Sequence, residues 1–84
     1  MTQPIIIVYG ADWCADCRRA KKFLNDQNIP FVWANTDEDK QAEEFVRQQN
    51  NGKCIIPTII FPDGSFLVEP SNEELAGKLG IPVA

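Results

Sequence analysis

Ile5-Ile6-Ile7-Val8-Tyr9-Gly10-Ala11-Asp12-Trp13-Cys14-Ala15-Asp16-Cys17 runs a β-branched apolar segment straight into two thiols three positions apart. An uninterrupted run such as Ile5 to Tyr9 reads as a strand buried on both faces, and therefore as one central in its sheet. Beyond it, Cys17, Ala20, Phe23 and Leu24 recur at helical spacing. A helix is expected from about Ala15 to Gln27, with that stripe turned inward and Arg18, Arg19, Lys21 and Lys22 facing water. Asn28 and Pro30 end it, and Phe31-Val32-Trp33-Ala34 follows as a second strand. A strand, a helix and a strand in succession imply a parallel pair.

Working outward, Thr36-Asp37-Glu38-Asp39 reads as an N-cap with acidic residues in the first turn of a second helix. Ala42, Phe45 and Val46 give that helix a thin inward stripe, and Asn51-Gly52 closes it. Pro57-Thr58-Ile59-Ile60-Phe61 and Ser65-Phe66-Leu67-Val68-Glu69 read as strands joined through Pro62-Asp63-Gly64. A hairpin is antiparallel, so the sheet is mixed. Ser71 and Glu74 form the S-x-x-E capping box of a third helix carrying Leu75, Ala76 and Leu79, with Gly80 just past its end. The class is α/β, in the order β-α-β-α-β-β-α.

The thiol pair is the part of this layout that bears chemistry. At the start of a helix, cysteines at i and i+3 lie on one side of the first turn, within bridging reach. The free N–H groups and positive dipole end there stabilise a thiolate, which is the attacking species in disulfide exchange. A C-x-x-C can also be half of a structural zinc site, but a closed site needs four ligands, and the chain has no His and only Cys54 to add. A structural disulfide would close too small a loop to stabilise much. Beside a β-α-β pattern the pair reads as a reversible redox centre, with no metal.

At 84 residues the chain has room for one domain, spanning 1–84, with no visible repeats or linkers. Met1 to Pro4 carry no positive cluster and Ile5 to Tyr9 is too short to span a membrane, so a cytoplasmic location is expected, where thiols stay reduced. A net charge of -4 argues against nucleic acid as the main partner. No membrane partner is expected either.

The element order, the Trp13-Cys14-Ala15-Asp16-Cys17 motif, Asn51-Gly52-Lys53-Cys54-Ile55-Ile56-Pro57-Thr58 and Pro62-Asp63-Gly64-Ser65 together resemble a small glutaredoxin of the thioredoxin superfamily. Glu69-Pro70-Ser71-Asn72-Glu73-Glu74-Leu75 is similar to the ending of the mycoredoxin-like bacterial branch. The resemblance covers nearly the whole chain. It implies a thioredoxin/glutaredoxin fold with three helices and a four-stranded mixed sheet in the order 2-1-3-4. It further implies Cys14 as nucleophile, Cys17 as resolving thiol, and Pro57 as a cis-proline that exposes the backbone of Ile56 to substrate. The co-substrate would be a low-molecular-weight thiol, glutathione or mycothiol, with no tightly bound cofactor. The partners would be oxidised or thiolated proteins, met by a monomer.

Several residues depart from the family pattern. Many glutaredoxins carry Pro-Tyr between the cysteines, where this chain has Ala15-Asp16. The Asp16 carboxylate opposes the positive helix start and the neighbouring Arg18 and Arg19, or handles a proton at Cys17, or is simply a solvated first-turn acid. Pro70-Ser71 replaces the Gly-Gly of glutathione-using relatives, although Ser71 and Asn72 still place backbone donors at a helix start, where a carboxylate could sit. Cys54 stands where relatives often have a basic residue, with Lys53 one place off. Cys54 is either an added redox handle or a small apolar filler. Trp13 shapes the substrate groove or shields the disulfide. Three other readings remain at this stage. One is a dithiol donor reduced by a flavoprotein reductase of the thioredoxin reductase type and serving a target such as ribonucleotide reductase. Another is an iron-sulfur carrier bridging two chains through Cys14. The third is a redox-responsive binding module without turnover.

Overall fold

A computed structural model describes residues 5–81. The expectations placed on Met1 to Pro4, and on the ends of the 1–84 domain, lie outside the described residues. Seven elements follow one another: β1 (Ile6–Gly10), α1 (Ala15–Asp26), β2 (Phe31–Asn35), α2 (Lys40–Gln49), β3 (Thr58–Ile60), β4 (Phe66–Val68) and α3 (Asn72–Leu79). The sheet order is β2-β1-β3-β4, as the resemblance implied. β1 pairs parallel with β2, Val8 opposite Trp33, and antiparallel with β3, Val8 opposite Ile59. β3 and β4 form the antiparallel hairpin, Ile59 opposite Leu67.

Period-two alternation along β1 sorts its side chains between two layers. Ile6, Val8 and Gly10 are buried, while Ile7 and Tyr9 are half-buried, so the run is sided rather than equally covered on both faces. On the buried side Val8 and Ile59 meet Leu24 of α1 and Leu75 of α3, all fully enclosed. On the other side Tyr9 stacks on Phe45 of α2, with ring centres 4.9 Å apart, and Ala42 and Val46 are buried. Two helices cover one face of the sheet and one covers the other.

The caps place the helix ends. α1 stops at Asp26 because Asn28 takes a left-handed conformation (φ 57°) and the Ile29 amide donates back to Leu24 O at 2.9 Å. α3 carries both halves of its capping box, and Gly80 closes it at φ 70°. The second helix corrects the sequence reading, since its N-cap is Asp39 and not Thr36. Thr36 is buried, and both its amide and its hydroxyl donate to Gly10 O, at 2.8 and 3.2 Å. That bond ties the end of β2 to the end of β1 and leaves Asp39 Oδ1 to accept from the Gln41 and Ala42 amides. The hairpin strands are also shorter than expected. Pro57 and Phe61 flank β3, and Ser65 and Glu69 flank β4.

Candidate active site

Gly10 ends the central strand, and the chain turns through Ala11, Asp12 and Trp13 into α1. Cys14 is the N-cap of that helix, with extended backbone angles, in the place a serine or aspartate commonly fills. Its amide donates to Ala11 O at 3.2 Å, and its Sγ accepts from the Cys17 amide, also at 3.2 Å. The sulfur thus takes up a first-turn helix N–H, as an N-cap side chain does. Cys14 is 9% exposed. Its use as the cap turns the sulfur back toward the helix, beside a cleft.

Cys17 sits one turn further in, fully buried. Burial is the main cause that pushes its thiol up to about 12, followed by its hydrogen bond to Cys14; the charges of Cys14 and Asp16 add to this, and the Ala11 amide opposes it. The folded protein therefore holds a proton that the unfolded chain releases near the ordinary thiol value. Stability from this group is intact below about pH 9 and is lost as the pH climbs from there toward 12. Native reduced protein treated with iodoacetamide at about pH 8, below the ordinary thiol value, is expected to leave Cys17 unmodified, while denatured protein labels there fully. Peptide mass spectrometry reads the site, and native labelling of Cys17 as fast as of the half-exposed Cys54 would overturn this assignment.

A cleft of about 570 Å³ opens beside the Cys14 sulfur. Trp13, Cys14 and Asp16 form one side of its lining. Ala15 lies between them, and Cys54, Ile55, Ile56 and Glu69 complete the lining. Trp13 is 69% exposed and pinned by an Nε1–H bond to Asp37 Oδ2 at 2.7 Å. The Ile56–Pro57 bond is cis, as the resemblance implied, and Pro57 is buried. The Ile56 amide and carbonyl make no hydrogen bond to another described residue. The loop that carries them is held by Thr58 Oγ1, which donates to Ile55 O at 2.7 Å and accepts from Asn50 Nδ2 at 3.2 Å.

Ser71 and Asn72 are not among the cleft-lining residues. Ser71 Oγ accepts from the Glu74 amide at 3.1 Å, and Asn72 Oδ1 accepts from Arg19 Nη1 at 2.8 Å. Arg19 also donates to Pro70 O at 3.1 Å and lies 3.4 Å from Asp16 Oδ1, while Arg18 donates to Asp12 O at 3.2 Å. Both guanidinium groups are thereby engaged away from the Cys14 sulfur. Two residues that sequence reasoning passed over matter here. Glu69 lines the cleft with a left-handed backbone (φ 50°), and its amide donates a hydrogen bond to Pro57 O at 2.8 Å, a closeness that only the tertiary pairing creates. Gly10 packs directly on Cys17, and a glycine closing an apolar strand just before the thiols was the available signal.

Among the described residues no cluster of three or more His, Cys, Asp or Glu could hold a metal ion, and no helix is long and apolar enough to cross a membrane. The family model described as Glutaredoxin matches residues 6–67. A glutaredoxin-type protein of Mycobacterium tuberculosis is 34% identical over 79 residues, covering 94% of each chain. Mycoredoxin 1 of Corynebacterium glutamicum is 32% identical over 74 residues, covering 88% of this chain and 91% of its own. Among solved structures, the glutaredoxin of Methanosarcina mazei superposes with a TM-score of 0.73 at 27% identity, over 95% of this chain and 85% of that one. With the fold, the cysteine pair and the family model in agreement, this chain belongs to the glutaredoxin family of thiol-disulfide oxidoreductases.

Proposed function

We propose that Cys14 is the nucleophile and Cys17 the resolving thiol of a glutaredoxin that reduces protein disulfides, or mixed disulfides with a low-molecular-weight thiol, in the cytoplasm. The observation that carries this reading is the Cys14 sulfur, capped by a helix N–H and facing a cleft whose other side offers the unpaired backbone of Ile56. Trp13 and Asp16 flank the reacting sulfur, and a substrate segment pairs with Ile56 beside Pro57 as an added strand would.

In the first step the Cys14 thiolate attacks one sulfur of the substrate disulfide. A Cys14 mixed disulfide forms, the substrate S–S bond breaks, and the leaving thiolate takes a proton from solvent. Cys17 stays protonated while Cys14 carries charge. Once Cys14 is bonded, that charge is gone and part of the reason for holding the Cys17 proton goes with it. Cys17 then either gives its proton to solvent and attacks the Cys14 sulfur, closing the Cys14–Cys17 bridge as the Cys14–substrate bond breaks and the held group leaves as a thiolate, or remains a bystander while a small thiol attacks the held sulfur and releases Cys14 as a thiolate. The resemblance to a mycoredoxin supports mycothiol as that thiol, and the family as a whole supports glutathione.

The test is turnover of glutathione and mycothiol mixed disulfides by the wild type and by Cys17→Ser. Retention of most of the activity by the variant with either thiol is the expected result, since Cys14 alone then suffices. A dead variant, beside a wild type that turns over only with a flavoprotein reductase and NADPH, would replace the small thiol by a dithiol shuttle. The burial of Cys17 directly behind Cys14 is the feature that keeps this second reading in view.

A further inference from the structure

The cleft carries charge of one sign. Its lining includes two acidic residues, Asp16 and Glu69, and no Lys or Arg. The cations nearest in sequence are engaged or turned away. Arg19 is spread over Asp16, Asn72 and Pro70 O, Arg18 bonds Asp12 O, and Lys53 is exposed but absent from the lining. Arg19 offsets part of the Asp16 charge. Glu69 has no ion pair with another described residue, so of the two acidic lining residues it is the one left uncompensated. Its backbone is held beside the Ile56–Pro57 segment by the hydrogen bond that the Glu69 amide donates to Pro57 O. The chain's net charge of -4 adds a field of the same sign.

We propose that Glu69, assisted by Asp16, is a specificity-determining residue that selects against disulfides bearing carboxylates near the reacting sulfur, and for uncharged or cationic ones. The proposal deepens the thiol-exchange reading and rests on it. It bears on the co-substrate directly. A small thiol whose polar groups are hydroxyls and amides meets no like charge in this cleft, whereas glutathione brings two carboxylates and net negative charge. In the reacting step the Cys14 thiolate bonds to one sulfur of the disulfide and the other sulfur leaves as a thiolate. A negative group on either half of the substrate is therefore drawn toward Glu69 as the bond forms. Two unit charges about 6 Å apart in water change a rate by about threefold, so reversing a substrate charge from negative to positive is worth roughly tenfold. Screening at about 1 M salt, where the Debye length is about 3 Å, removes most of that difference.

The test uses three small symmetrical disulfides: cystamine with two ammonium groups, bis(hydroxyethyl) disulfide with none, and dithiodipropionate with two carboxylates. Reduced wild type, Glu69→Gln and Glu69→Lys are each mixed with each probe, and loss of the free Cys14 thiol, to the mixed disulfide or to the Cys14–Cys17 bridge, is followed by quenching and peptide mass spectrometry. The variant-to-wild-type rate ratio cancels the intrinsic reactivity of each probe. That ratio is expected to rise from cystamine through the uncharged probe to dithiodipropionate, about tenfold across the series for Glu69→Gln. The span is expected to be larger for Glu69→Lys, and both spans should collapse at high salt. A ratio that is flat or falls across the series, while the wild type reacts with the uncharged probe, would overturn the selectivity and leave the exchange chemistry standing. A wild type whose Cys14 stays a free thiol in the presence of the uncharged probe would overturn the thiol-exchange reading, and the selectivity with it.

Discussion

Cys14→Ser is expected to lower disulfide turnover by about 10³-fold or more with every substrate, while leaving the fold and its melting temperature nearly unchanged. The two halves of that expectation come from the two jobs of one atom. As an N-cap, the residue at 14 must accept a hydrogen bond from the Cys17 amide, which the Cys14 sulfur does at 3.2 Å. Serine is among the best residues for that job. As a nucleophile, the residue must carry a polarisable anion near neutral pH and form a bond to sulfur, which a serine hydroxyl does not do. Activity and stability therefore separate cleanly in this variant. The check is a steady-state assay beside a thermal melt. A variant retaining a tenth or more of wild-type activity would move the attacking role to another thiol, and Cys54 in the same cleft is the one positioned to take it.

How far the sequence could be read depended on whether a feature was local. The central strand, the pairing of the hairpin, the Ser71–Glu74 capping box and the Gly80 stop are all set by patterns a few residues long, and each stands where those patterns put it. The thiol pair was legible for the same reason, since helix geometry alone brings i and i+3 together. Thr36 was misread because its hydroxyl is claimed by Gly10 O, a residue 26 positions away. The cleft was legible on the side made by α1. Its other side was legible only in part, because Glu69 reaches the thiols through the pairing of β4 with β3 and not through any spacing in the chain. Ser71 and Asn72 combine both kinds of feature. They read as candidates from the backbone donors of a helix start, which is a local feature, like the capping box that takes the Ser71 side chain, whereas the bond of the Asn72 side chain to Arg19 had no signal in the spacing of the motif.

Gly10→Ala should be the most destabilising small substitution in the site, at about 1–3 kcal/mol, the usual cost of adding a methyl group to a packed interior. A Cβ built at residue 10 would stand 2.5 Å from Cys17 Sγ and 2.9 and 3.0 Å from two ring carbons of Trp33, distances at which something must move. Neither neighbour can move easily. Cys17 is fully buried on a short side chain, and the Trp33 ring is rigid, with the Lys21 ammonium 3.8 Å from its centre. The easier movement is rotation of the Cys17 sulfur away from strand β1, which changes its approach to Cys14. Loss of stability and altered closure of the Cys14–Cys17 bridge are therefore expected in the same variant. For a domain of this size a destabilisation of 1 kcal/mol lowers the melting temperature by about 4–8 °C, well within reach of a thermal scan. A double-mutant cycle with Cys17→Ala isolates the cause, because removing the sulfur takes away the shortest of the three contacts. Gly10→Ala is expected to cost less in that background, with the Trp33 contacts setting what remains. An equal cost in both backgrounds would assign the whole effect to Trp33 and free Cys17 from any dependence on the glycine.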